Sequence, residues 1–197
     1  MASITYLWAN RAKFSPTSIN FYRAWGKRFF LLPDLIKKNY RLLKLKRLGA
    51  NINGKAEIGE ITLTGNNKLL SVGAFSFLGK INCALHEKIT IGNNVCISDG
   101  VTMLTGSHDI FDPKWPHKKG SIIVDDYVWI GTEATILPGV HLERGSVVGA
   151  RAVVSKSLKP GEIVVGNPAK ILTKKRLIEF KYNPCEFLAN NKAWLIG

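Results

Sequence analysis

From residue 91 the chain reads IGNNVC ISDGVT MLTGSH, and after an interruption it continues from residue 124 as VDDYVW IGTEAT ILPGVH LERGSV VGARAV VSKSLK, ending at Lys159. Each group of six opens on an aliphatic residue: Ile91, Ile97, Met103, Val124, Ile130, Ile136, Leu142, Val148 and Val154. The fifth place holds a second small or apolar residue. A period of six is too short for a helix pair or a propeller blade and matches the hexapeptide class of parallel β-helix. Three hexapeptides make one triangular coil, so the leading aliphatics point inward and stack at the spacing of paired strands, roughly 4.8 Å. Earlier, less regular coils begin at Ile52, Ile58, Val72 and Leu78, and a break in frame between Ala84 and Ile91 implies an extra residue at one corner. The expected fold is an all-β core, a left-handed parallel β-helix over 49–169 with a protruding loop over 107–122. A helical segment over 1–48 and a helical tail over 170–197 flank it.

The net charge of +14 is placed unevenly. Residues 1–48 hold eleven Lys and Arg against one acid, residues 49–169 hold eleven of each, and residues 170–197 hold six against two. The β-helix is therefore neutral and its flanks are basic. Between Ile19 and Leu48 the charge is mixed with Phe21, Tyr22, Trp25, Phe29 and Phe30, the composition of an interfacial helix pair or of a cap on the first coil. No recognition motif accompanies the charge, so nucleic acid is not an expected partner. No stretch reaches the roughly 18 apolar residues of a membrane span, and Asn10, Arg11 and Lys13 interrupt any leader-like run. The expected location is the cytoplasm, with peripheral contact at the inner membrane face through the basic segment as the alternative to its serving only as a cap. Three cysteines, Cys83, Cys96 and Cys185, follow no metal spacing and read as bystander thiols.

The interruption, SHDIFDPKWPHKKGS over 107–121, carries two histidines, two acids and a tryptophan. A coil that ejects a loop of this composition gives up regular stacking, which points to binding or catalysis. His108 stands where the chain leaves the coil, a rigid mounting for a general base.

At this point the sequence resembles a known family. TGSHDIFDP, Trp129-IG, Leu137-PGV, GARAVVSKSL and VGNPAKIL, in that order, are similar to the hexapeptide-repeat acetyltransferases over about Gly73 to Lys174. The likeness is greatest to those of exopolysaccharide synthesis of the colanic acid type, alongside the maltose, galactoside and nodulation-factor enzymes. The resemblance implies a homotrimer using acetyl-coenzyme A, with each active site between neighbouring prisms and no metal. It implies that His108 is the catalytic base, a task suited to an imidazole. It places Trp129, Gly131, Thr132, Gly149, Ala150, Ser155 and Lys156 along the coenzyme, with Lys174 among the basic residues that follow the Gly166-Asn167-Pro168-Ala169 exit into a C-terminal helix. A saccharide or lipid-linked saccharide is the implied acceptor, with Asn82, His86, Asp112, Trp115 and His117 as its candidate contacts. His86 stands where the sugar enzymes have an acid, and Leu78 and Lys80 where they have asparagines, so the acceptor half transfers less well than the catalytic half. The readings kept beside this one are N-acetylation of a nucleotide-linked amino sugar or a drug, a non-catalytic β-helix scaffold, and a γ-type carbonic anhydrase. The last binds zinc through three histidines, two of them five residues apart, and no such pair exists here.

Overall fold

The computed structural model describes residues 3–176 and 179–197. Its body is the left-handed parallel β-helix that the six-residue frame predicts, with strands of two to five residues in three ladders. The first face stacks Asn51–Ile52, Leu70–Val72, Ile89–Ile91, Ile122–Val124 and His141–Leu142. The second stacks Glu57–Ile58, Phe77–Leu78, Cys96–Ile97, Trp129–Ile130, Val147–Val148 and Ile163–Val165. The third stacks Ile61–Gly65, Ile81–Leu85, Thr102–Leu104, Thr135–Ile136 and Val153–Val154.

In-register pairing puts side chains of one kind in columns. Ile58, Leu78, Ile97, Ile130 and Val148 form one such column, each all but inaccessible to solvent. The fifth-place residues Val95, Val101, Val128, Ala134, Val140 and Ala152 close the corners of the same core. The backbone groups of each coil pair with the coils above and below, so only the two ends of the prism present open edges.

The lower end is capped by helices. Helix α1 spans Ile4–Ala9 and α2 spans Ile19–Arg47, a single continuous helix where the sequence suggests a pair. Ser18 caps the start of α2, its Oγ accepting from the Phe21 N–H, and Gly49 at φ +98° takes the left-handed turn just past the end. Pro33 lies inside the helix, where it removes one donor. Beyond it Leu42 is buried in the core of the prism and Leu35 packs with Leu7 and Trp194, which ties the helix both to the first coil and to the other cap helices. Helix α3, Ala189–Leu195, packs on α2. The Arg28 guanidinium, buried between Trp25 and Trp194, donates to the carbonyls of Ala193, Trp194 and Ala12 and so satisfies the carboxyl end of α3.

The exit from the β-helix differs from the expected helix. After a cis Asn167–Pro168 peptide, Lys170–Ile171 runs antiparallel to Ile163–Val165 and covers that edge. The tail then crosses the second face, and its helix begins only at Ala189. Burial pushes the Cys83 and Cys185 thiols up to about 12 and Cys96 to about 11. All three stay protonated near neutrality and take no part as nucleophiles. Ellman's reagent at pH 8 is therefore expected to label Cys83 and Cys185 only after a denaturant is added; fast labelling of both in the native protein would contradict this packing.

Candidate active site

The break in frame after Ala84 is the device that launches the loop. Thr105, fully buried, donates from Oγ1 to the Ala84 carbonyl at 2.6 Å and accepts from the His86 and Glu87 N–H groups at 2.9 Å each. The Gly120 N–H returns to the Thr105 carbonyl, so both ends of the excursion are tied to one residue. Between them Gly106–His108 pairs antiparallel with His117–Lys119, setting His108 opposite His117.

His108 is held from two sides. Its ring stacks on Trp115 with centroids 3.6 Å apart and planes 9° from parallel. Its Nδ1 lies 2.9 Å from the Trp115 carbonyl. A carbonyl only accepts, so Nδ1 carries the proton and the Nε2 lone pair is left to act as a base. Trp115 reaches this position at φ +47°, in the left-handed region that non-glycine residues rarely adopt, with its N–H donating to the Asp112 carbonyl. Asp112 itself accepts from the Lys114 N–H and Asp109 from the Phe111 N–H, so both loop acids serve turns.

His117 and His86 extend the cluster, with 5.1 Å between the His108 and His117 rings and 5.1 Å between His117 and His86. Desolvation, with the neighbouring His108, His86 and Lys119 charges, holds His117 below its ordinary value. Gly106 is what lets the row close up: a Cβ there would stand 2.7 Å from the His86 ring and 2.9 Å from His117 Nε2. Among the described residues no group of three or more His, Cys, Asp or Glu side chains is placed to hold a metal ion.

The remaining expected residues separate onto two corners of the prism. Gly131 and Thr132 turn between the second and third faces, and Gly149 and Ala150 turn directly beside them in the next coil. The stacking is so close that a Cβ on Gly131 would meet the Ala150 nitrogen at 2.7 Å. Thr132 and Ala150 are exposed residues at this corner, and their N–H groups donate to no acceptor among the described residues. Ser155 and Lys156, in contrast, lie between Val153–Val154 on the third face and the Leu158 bridge to the first face, the same corner that launches the His108 loop. The third face separates the two corners, so a single protomer does not bring Thr132 and His108 together.

Of the acceptor candidates, His86, His117 and Trp115 form a continuous ring cluster with His108, and Asp112 shapes the loop. Asn82 points outward from the third face, in register with Thr102. Lys174 is exposed beyond the exit strand. Trp129 is not beside His108 in its own protomer. It stands on the second face with Phe77 and Cys96, where the tail residues Tyr182, Pro184 and Phe187 help to enclose a cleft of 370 Å³. Thr105 is the functional residue the motif reading misses; the frame break was the signal that something must pin that corner.

No family model matches the chain. Among curated proteins, an acetyltransferase-named relative in Schizosaccharomyces pombe is 40% identical over 105 residues, half the length of each chain. In Escherichia coli K12 a relative named as a colanic acid biosynthesis acetyltransferase, WcaF, is 30% identical over 137 residues, 69% of this chain and 75% of WcaF. Among solved structures, the hexapeptide-repeat acetyltransferase of Vibrio cholerae complexed with acetyl-coenzyme A superposes with a TM-score of 0.63. That match covers 89% of this chain and all of the other at 23% identity, a likeness of fold. With the same prism, the same six-residue frame and a shared sequence over three quarters of WcaF, the chain belongs to the hexapeptide-repeat acetyltransferases.

Proposed function

We propose that the protein transfers the acetyl group of acetyl-coenzyme A to a hydroxyl of a saccharide acceptor, in a homotrimer whose active sites lie between adjacent prisms. The observation that carries this reading is the fixed tautomer of His108, whose Nδ1–H is committed to the Trp115 carbonyl and whose Nε2 is free to accept a proton.

The chemistry balances on that one ring. Nε2 takes the hydroxyl proton as the acceptor oxygen attacks the thioester carbonyl, and returns it to the departing thiolate, giving an acetyl ester and the free thiol of the coenzyme. The unpaired N–H at Thr132 suits an oxyanion or the amides of an extended pantetheine arm, and the one at Ala150 lies a single coil further along. Both come from the corner opposite the His108 corner, which is the support for a site shared by two protomers. Exposed Lys156 and Lys174 suit the coenzyme phosphates.

A saccharide is favoured on the acceptor side by the exposed Trp115 face beside the base and by the relation to WcaF, which also supports a role in surface polysaccharide synthesis. The test is a free-thiol assay with oligosaccharides, nucleotide-linked amino sugars and macrolide or phenicol drugs as acceptors, followed by mild alkali on the product. An alkali-labile acetyl ester on a sugar is the expected result. An alkali-stable amide, a drug as the only acceptor, or no acceptor-dependent thiol release would overturn the reading.

A further inference from the structure

Helix α2 buries one side against the first coil and leaves a long apolar side uncovered. At 100° per residue, Tyr22, Trp25, Phe29, Ile36, Tyr40 and Leu43 fall within a sector of about 60°. All six are exposed, Phe29 at 80%. The neighbouring sector, about 100° wide, carries Arg23, Lys27, Lys37, Arg41 and Lys44 against a single acid, Asp34, which is paired with Lys38. The buried Ala24, Arg28, Leu35 and Leu42 occupy the opposite side. The basic row runs on into a groove of 380 Å³ between α2 and the third face, where Lys44 and Lys80 stand beside an Arg41–Glu60 ion pair of 2.7 Å.

From this arrangement we infer that the exposed side of α2 is a docking surface for an anionic lipid bilayer. The apolar stripe lies in the headgroup boundary, and the basic row and groove receive lipid phosphates. An aromatic-rich stripe beside a cationic row is the layout of a helix that lies in the plane of an interface, where tyrosine and tryptophan keep one end apolar and one end wet. Each basic residue near an anionic surface adds to the attraction, and salt screens it. Charge decides against a second copy as the occupant. Two protomers meeting through this side would set two basic rows together, and the rest of the prism, with equal numbers of acidic and basic residues over 49–169, offers no compensating acidic field. Among the described residues no helix is long and apolar enough to cross a membrane, so the contact is peripheral. The inference stands apart from the acetyltransferase reading, since it uses none of the residues at the loop or at the Thr132 corner.

The test is co-sedimentation of the full chain with vesicles of phosphatidylcholine alone and with an equal mixture of phosphatidylcholine and phosphatidylglycerol, at low and raised salt. The protein is expected to bind the mixed vesicles, to bind pure phosphatidylcholine weakly, and to be released by salt. Phe29→Ser with Ile36→Ser, and separately Lys37→Glu with Lys44→Glu, are each expected to weaken binding to the mixed vesicles about tenfold or more. Both pairs are exposed and leave the core untouched, so oligomer size by light scattering and acetyl transfer to a soluble acceptor should be unchanged. No binding to mixed vesicles at low salt, binding that survives both double variants, tighter binding to single-stranded oligonucleotides than to vesicles, or loss of the oligomer in the apolar variant would each overturn the inference.

Discussion

His108→Ala lowers turnover by about two to four orders of magnitude and leaves acetyl-coenzyme A affinity nearly unchanged. The expectation follows from where the ring sits. His108 is fixed by its stack on Trp115 and by the Trp115 carbonyl, and the unpaired amides that suit the coenzyme belong to a different corner of the prism. Removing the imidazole takes away the proton acceptor and leaves the coenzyme groove whole. His108→Gln is the informative companion, because an amide fills similar space and still donates to the carbonyl but is no base at neutral pH. Steady-state rates together with a direct coenzyme titration separate the effects. Near-normal turnover in both variants would remove His108 from the mechanism, and a matching collapse of coenzyme affinity would make it a binding residue instead.

Glu57→Ala is expected to lower unfolding stability by about 3–5 kcal/mol in a urea titration. Glu57 is fully buried at the junction of the first coil with the helical cap. It accepts from Lys38 at 2.7 Å and from the side-chain amides of Asn190 and Asn191, while Asn191 also donates to the Cys185 carbonyl. Truncation would leave the Lys38 ammonium largely buried with only the half-exposed Asp34 as a charge partner. Glu57→Gln, which keeps an acceptor, should lose less. Burial pulls the Lys38 pKa down, but the charge and hydrogen bond of Glu57, helped by Asp34, outweigh it and leave the group above its ordinary 10.5. The sign follows: the pair's contribution is fully present below about pH 10 and is lost as pH rises through the raised folded-state value. A change within about 0.5 kcal/mol for Glu57→Ala would show that the cap does not depend on this network.

The core was legible in the sequence because the β-helix repeats one local rule. Ile97, Ile130, Ile136, Leu142, Val148 and Val154 lead their hexapeptides, and each is buried in the column its register assigns. The site was legible only in part. That His108 mounts a loop follows from the interruption, but its contact with Trp115 depends on a hairpin that pairs His108 with His117 and on a left-handed residue at 115, neither of which the six-residue frame encodes. Trp129, which its motif places at a channel wall, lines a cleft within its own protomer that is closed by the tail crossing the second face, and no periodicity announces the path of that tail. The exit after Ala169 likewise forms an edge strand before any helix, because the last coil still has an open edge to cover.

The central claim, a site built from His108 of one prism and the Thr132 corner of the next, is tested most directly by mixing two inactive variants. His108→Ala removes the base and keeps the corner; Ala150→Trp, at an exposed position, blocks the corner and keeps the base. Unfolded and refolded together in equal amounts, the two should form mixed trimers in which about a quarter of the interfaces hold both intact halves, restoring about a quarter of wild-type activity. A mixture that assembles into trimers yet stays as inactive as its components would contradict the account.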